Sequence, residues 1–350
     1  MAKSAIGVLV MSYGTPASLD QVEQYYTHIR RGQPPSEEQL TELTERYEAI
    51  AGGVFPLREN TDNQVRSLQR LLDELHPERS FVCYQGLKHA EPYIEDGVDA
   101  MARDGVREAV GIVLAPHYSA MSVGGYIKRA EERAKERGIR MRFVRSYHLH
   151  PLLIEALALR LNDALAKFAD VPKAEVRVMF SAHSLPERIL EMNDPYPEQL
   201  LETSRAICAA TGVTNWQFAW QSAGRTATPW LGPDIVDVLR HNCDAEGVRH
   251  TVISPIGFVS DHLEVLYDID IEAQQTAAEL GVQLERTASL NTDPLYIRVL
   301  ADEVARAAAG ELADAAEVSA ASGRVAAERT ASGHASAMQD GAGAARGERP

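Results

Sequence analysis

Two short stretches concentrate side chains that can bind a metal ion or move protons. The first is Ser181-Ala182-His183-Ser184-Leu185-Pro186, where an imidazole follows an apolar run. An imidazole of ordinary pKa, near ~6.5, can take up a proton at neutral pH or ligate a metal through a bare ring nitrogen. A lone histidine is more often a capping or core residue with a satisfied ring. The end of a strand favours the functional reading, because α/β enzymes carry reactive groups there. The second stretch runs from Phe258 through Asp268 to Glu272 and reads as a helix. Asp261, Glu264, Asp268 and Glu272 are spaced by three, four and four residues, which on a regular helix puts the carboxylates on one face. Like charges so placed cost ~0.2–0.5 kcal/mol per pair in an isolated helix, so the row is unfavourable unless cations relieve it. Hard oxygen ligands suit hydrated divalent ions, and a solvated acidic face is the competing reading. There is neither an HExxH motif nor a Cys/His cluster, which points away from a closed structural zinc site and towards an open, weakly held ion. His183 and Glu264 are therefore the candidate pair, with either able to take protons.

A second set lies early in the chain. Tyr13 follows the first apolar run, and a basic and aromatic segment extends from Tyr25-Tyr26-Thr27-His28-Ile29-Arg30-Arg31-Gly32 to Arg46-Tyr47. Arginines and tyrosines so arranged can pair with the carboxylates of a large planar ligand, bidentately for arginine. An ordinary charged surface helix is the alternative, above all for Arg31. The intervening Gln33-Pro34-Pro35-Ser36-Glu37-Glu38 is polar and offers no membrane-docking surface.

These residues need a scaffold, and the chain predicts one. Short β-branched runs, AIGVLVM (5–11), SFVCYQG (80–86), EAVGIVLA (108–115), VRVMFSA (176–182), NWQFAW (215–220) and RHTVISPIG (249–257), alternate with longer amphipathic stretches. That alternation predicts parallel sheets with helical crossovers, an α/β fold. The runs form two matching series. Each opens with a strand closing on a small residue, a ring and a proline (SYGTP, SAHSLP), and VLAPHYSAMS matches VISPIGFVSDH, which suggests an internal duplication. The expected architecture is two Rossmann-like domains facing across a cleft, residues 1–146 and 147–290. A linker (291–295) and a terminal helix (296–314) follow, and then an Ala-, Gly- and Ser-rich tail (315–350) that lacks the periodicity to fold.

Composition narrows the partners. With 350 residues, 45% of them hydrophobic, the chain can bury a sizeable core. A formal charge of −15 argues against a nucleic-acid partner and makes a cation the more natural guest. Cys83, Cys208 and Cys243 lack CxxC spacing and read as ordinary thiols of a reducing compartment. No stretch approaches the ~20 apolar residues of a membrane span, and the expected location is the cytoplasm.

Taken together, SYGTP, YYTHIRRG, RYEAI, GLKHAEP, LAPHYS, SAHSLPE, DPYP, WQSAGRTATPWLGPD and GFVSDHLEVLYDID resemble the ferrochelatases, specifically the soluble coproporphyrin type of Gram-positive bacteria. The resemblance runs from about Gly7 to about Leu290. It implies a chelatase-like fold and insertion of Fe²⁺, as substrate, into coproporphyrin III. His183 and Glu264 would form the metal-insertion face. Asp268 and Glu272 would be outer carboxylates, able to hold an accessory divalent cation, with Arg46 nearby. Tyr13 would lie on the opposite porphyrin face, and Arg30, Tyr47, Tyr126 and Lys88 would line the substrate cleft. Where relatives carry Ser in a GGISPL-like segment, this chain has Phe55, which puts a hydroxyl contact to a propionate in doubt. Some family members hold an iron–sulfur cluster on four cysteines; with three here, no cluster is expected. A monomer that hands its product to the next haem-pathway enzyme completes the expectation. The rival readings are a protoporphyrin IX ferrochelatase, a cobalt- or sirohydrochlorin-type chelatase, a non-catalytic haem or iron carrier, and a two-lobed solute receptor.

Overall fold

The computed structural model describes residues 5–311 except 51, 52, 225 and 227. The expected tail, 315–350, lies outside the described residues. Eight strands form two parallel four-stranded sheets. The first contains β1 (Ile6–Ser12), β2 (Phe81–Leu87), β3 (Glu108–Val113) and β4 (Arg140–Val144) in the order β2-β1-β3-β4. The second contains β5 (Val176–His183), β6 (Trp216–Gln221), β7 (His250–Ser254) and β8 (Gln283–Arg286) in the order β6-β5-β7-β8. The orders coincide strand for strand, as the matching motif series predicts. The chain up to Ala308 forms one compact unit that carries both sheets.

Composition decides which strands sequence alone reveals: the edge strands β2 and β6 keep hydrophobic or aromatic runs and are found with the central ones. The central strands are covered by helices on both faces, so they read as unbroken apolar runs: Val8, Leu9, Val10 and Met11 of β1 and Val178, Met179 and Phe180 of β5 are fully buried. β4 (RMRFV) and β8 (QLER) are edge strands with polar sequences, and the pattern of apolar runs misses both. Parallel pairing requires a long crossover after each strand, supplied in the first half by Pro56–Leu75, Ile94–Arg103 and Val123–Arg137. In the second half Tyr196–Thr211, Ile235–Glu246 and the helical segment from Leu263 to Leu280 do the same.

The last helix spans Pro294–Ala309, so it begins before the expected Tyr296. Pro294 fits a first helical turn, where its missing N–H is not needed, and the Asp293 carboxylate accepts hydrogen bonds from the N–H groups of Leu295 (2.7 Å) and Tyr296 (3.2 Å).

The helix Ile94–Arg103 rides so close to β1 and β2 that a Cβ at Gly97 would fall 2.6 Å from the Gln85 carbonyl oxygen and 2.6 Å from Leu9 Cδ1. Gly97→Ala gains about 1 kcal/mol in helix propensity but forces the helix off the sheet, and overpacking of this kind costs about 1–3 kcal/mol. The expected result is a lower urea midpoint; a midpoint equal to or above wild type would show that the helix can shift freely.

Candidate metal-insertion site

In each sheet the chain leaves neighbouring central strands in opposite directions, β5 towards β6 and β7 towards β8, so the loops after β5 and β7 part and leave a crevice at their C-terminal ends. His183 is the last residue of β5, and Glu264 follows the loop after β7. That loop comes in close because Gly257 has no side chain: a Cβ there would meet Ala182 Cβ at 2.4 Å, and Gly257 N–H donates to Ser181 O at 3.2 Å. The two candidate residues, about eighty positions apart in sequence, meet with His183 Nε2 3.4 Å from Glu264 Oε1. Each side chain is 32% exposed, so the pair lines a cleft open to solvent.

Nδ1 of His183 is engaged with Ser184 O, which directs Nε2 at the carboxylate. The ring lies between Phe258 and Trp230, with centroids at 6.5 and 6.3 Å. The second oxygen of Glu264 faces another imidazole, His262 Nε2, at 3.5 Å, whose Nδ1 is bonded to Ser260 O at 2.9 Å. Sequence reasoning passed over His262, although a second histidine two residues from Glu264 was the available signal.

Charge states depart from the ordinary values the sequence suggests. Burial alone pushes the His183 pKa down, but the Glu264 carboxylate, the Ser184 carbonyl and Asp268 outweigh it and raise the pKa to about 9. Burial pushes Glu264 up, and His183 and His262 hold it well below the usual carboxylate range. The two shifts are reciprocal: the carboxylate stabilises the protonated imidazole, and the imidazoles stabilise the carboxylate.

The carboxylate row also differs from expectation. Asp261 precedes the helix, and its carboxylate accepts from Ser289 Oγ (2.7 Å) and Asn291 Nδ2 (2.8 Å) and pairs with Arg286 (3.5 Å), away from the other acids. The expected linker residue Asn291 thus supports the site loop. Beyond a short α-helical turn, Leu263–Leu266, residues Asp268–Ala273 wind as a π-helix. Glu264 thus sits on the α-helical turn, and Asp268 and Glu272 on the π-helical segment that follows. Asp268 is buried, accepts from Ser222 Oγ and lies 3.7 Å from Arg46 Nη1; burial, with help from Glu264, raises its pKa to about 6. Glu272 faces solvent. Among the described residues no three His, Cys, Asp or Glu side chains converge as a metal cage.

The first half supplies the opposite wall. Tyr13, just past β1, is 39% exposed and packs against His89 (centroids 4.7 Å). Lys88 Nζ stands 4.8 Å from the Tyr126 ring centroid and 5.9 Å from that of Tyr13, with no carboxylate partner among the described residues. Burial raises the phenol pKa values of Tyr13, Tyr47 and Tyr126, and the Glu264 charge adds to each shift across the cleft. Tyr47 and Phe55 lie behind this wall. The Tyr47 hydroxyl is 3.4 Å from Thr15 Oγ1, and the Phe55 ring packs on Tyr47 in an apolar cluster with Leu263, Leu266, Tyr267 and Ile271. Arg46 stacks on Tyr267 (4.7 Å) and so ties the first half to the carboxylate helix. Arg30 is not brought to the pair; it donates to Gln33 O and sits near Tyr26.

An α/β chain with two parallel sheets of the same strand order and an imidazole–carboxylate pair beside acidic helix residues has the make-up of a tetrapyrrole metal chelatase. The ferrochelatase family profile matches residues 5–308, and the chain belongs to the ferrochelatase family. It is 49% identical, over 86% of its own length and 96% of the relative's, to a coproporphyrin III ferrochelatase of Halalkalibacterium halodurans. It is 43% identical, over 85% and 97%, to one of Staphylococcus epidermidis. Among solved structures the fold is shared with the sirohydrochlorin chelatase SirB of Bacillus subtilis with Fe³⁺, at a TM-score of 0.55 and 13% identity over 88% of this chain and 97% of that one. No helix of the described residues is long and apolar enough to cross a membrane.

Proposed function

We propose that this chain is a coproporphyrin III ferrochelatase, inserting Fe²⁺ into coproporphyrin III to give Fe-coproporphyrin and two protons in haem biosynthesis. The observation that carries the reading is the meeting of His183 and Glu264 at 3.4 Å with both side chains partly open to solvent. The names of the relatives supply the substrate.

Metallation requires the macrocycle to lose two pyrrole protons, Fe²⁺ to shed water, and the ring to bend so that its nitrogen lone pairs face the ion. Bending costs ~1–5 kcal/mol, drawn from binding of the remote carboxylates. Glu264 holds a proton on His183; an arriving dication repels that proton, which leaves to solvent along Asp268 and Glu272, and the freed imidazole and the Glu264 carboxylate then take the two pyrrole protons as iron enters. Asp268 and Glu272 lead outwards and suit either delivery of hydrated iron or drainage of protons. They are also the proposed place for an accessory divalent cation, which would compete with Arg46 for Asp268. Both sets of site residues come from one chain, which supports a monomer as the working unit.

The cations of the first-half lip, above all Lys88 with no acidic partner among the described residues, favour a ligand with four carboxylates over one with two. In side-by-side anaerobic assays, coproporphyrin III is expected to give at least about tenfold higher kcat/KM than protoporphyrin IX, which is about 1.4 kcal/mol of discrimination. Equal or reversed preference would overturn the choice of substrate.

A further inference from the structure

We propose that Gln221 is a positioning residue for metal insertion, the side chain that sets the separation of His183 and Glu264; the inference rests on the function proposed above. His183 and Glu264 belong to different segments, so only tertiary contacts fix their distance. β6 ends at Gln221, which is fully buried and stands directly beside His183 in the parallel register. Its backbone carbonyl accepts from Ser184 N–H at 2.8 Å and ties the two strand ends together.

The side-chain amide completes the link. Gln221 Oε1 accepts from Ser181 Oγ at 2.9 Å, two residues before His183, and Nε2 donates to the Glu264 backbone carbonyl at 2.9 Å. Because a carbonyl can only accept, the amide has one workable orientation here: a flipped group would set two oxygens against each other. The strand bearing His183 and the first turn bearing Glu264 are thus held by one planar group. The next residue repeats the grip. Ser222 adopts a left-handed φ of 59°, uncommon for serine, and in that conformation its hydroxyl reaches Asp268, one turn further along the helix. Backbone strain kept at this point, beside the reacting pair, is in keeping with a positioning role. Gln221 is inaccessible to substrate, so its effect must pass through the residues it holds.

The test uses the full chain in an anaerobic Fe²⁺-insertion assay with coproporphyrin III, and porphyrin binding is followed separately by fluorescence. Gln221→Met keeps the bulk and loses both side-chain hydrogen bonds. It is expected to lower kcat about 10- to 100-fold, the scale of a misplacement near 1 Å, with the porphyrin Kd within about twofold of wild type. Ser181→Ala, which removes one of the two bonds, is expected to lower kcat less, and the double variant to be no worse than Gln221→Met alone. A part that only supports the fold would reduce the thermal midpoint and the fraction of binding-competent protein while leaving kcat per porphyrin-binding site unchanged; that outcome overturns the proposal. Should Gln221→Met not fold, Ser181→Ala decides, and an undiminished kcat there overturns it as well. Wild-type protein that binds porphyrin yet inserts no iron would sink the functional reading instead.

Discussion

His183→Ala is expected to lower iron insertion by about 10²–10⁴-fold while porphyrin binding stays within about twofold of wild type. The magnitude follows from the task assigned to the imidazole, since removing a positioned acid–base group costs rates of that order. The selectivity follows from geometry. His183 touches Glu264 and the Ser184 carbonyl, whereas the groups suited to the macrocycle and its carboxylates, Tyr13 and Lys88, belong to the first half of the chain, with Tyr126 buried behind Lys88. Anaerobic turnover and fluorescence titration of the same preparation measure the two effects separately. Turnover near wild type would remove His183 from the mechanism, and a parallel collapse of binding would show that it holds the ring rather than the metal.

The second large effect is expected from Glu264→Gln, which preserves shape and removes one charge. Insertion should fall by about 10²-fold or more, because the charge that compensates an arriving dication is gone. The same change should appear in how the protein responds to pH. His183 has a folded pKa of about 9, raised from 6.5, so its contribution to stability is fully present below 6.5 and is lost as pH rises through 9. Glu264 is depressed below its ordinary 4.5, so its contribution is present above 4.5 and is lost as pH falls through its lower folded value. The pair therefore supports the fold most between roughly pH 4.5 and 6.5 and progressively less towards pH 9. In Glu264→Gln the decline between pH 6.5 and 9 should largely vanish, and the imidazole should titrate well below 9 by NMR. An unchanged imidazole titration would show that Glu264 does not hold the proton on His183.

The neighbourhood of the pair suggests why these effects are large. Glu264 lies between two imidazoles, its backbone is fixed to β6 by Gln221, and Tyr196 donates to the His183 carbonyl at 3.1 Å. The motifs DPYP and WQSAGR, conspicuous in the chain without an evident task, supply these braces through Tyr196, Gln221 and Ser222. Their side chains perform no chemistry of their own, so residue type offers no hint of what they do; their use appears only with their partners.

Much of the architecture was legible in the residues. Runs such as IGVLVMS and VRVMFSAH are apolar because they are covered on both faces, and their repeated order announces two similar sheets. β4 and β8 escaped because RMRFV and QLER are short and interrupted by charged or polar residues, whereas the other two edge strands, β2 and β6, keep hydrophobic or aromatic runs. The regular spacing of Asp261, Glu264, Asp268 and Glu272 predicts one α-helical face; Asp261 instead precedes the helix, which turns from α to π winding after Leu266, and no local pattern distinguishes that winding from an ordinary α-helix.

By itself, the order of amino acids determined the alternation of strands and crossovers, the doubling of the unit, and the choice of His183 and Glu264 as the candidate pair. These are matters of local pattern and residue type. Only the folded chain decided that the two groups stand 3.4 Å apart, that Asp261 turns to Ser289 and Asn291, and that Glu264 raises the pKa of the imidazole. Distance and charge state depend on neighbours brought in from remote parts of the chain, and on how much water those neighbours exclude; neither quantity is written in any short stretch of residues.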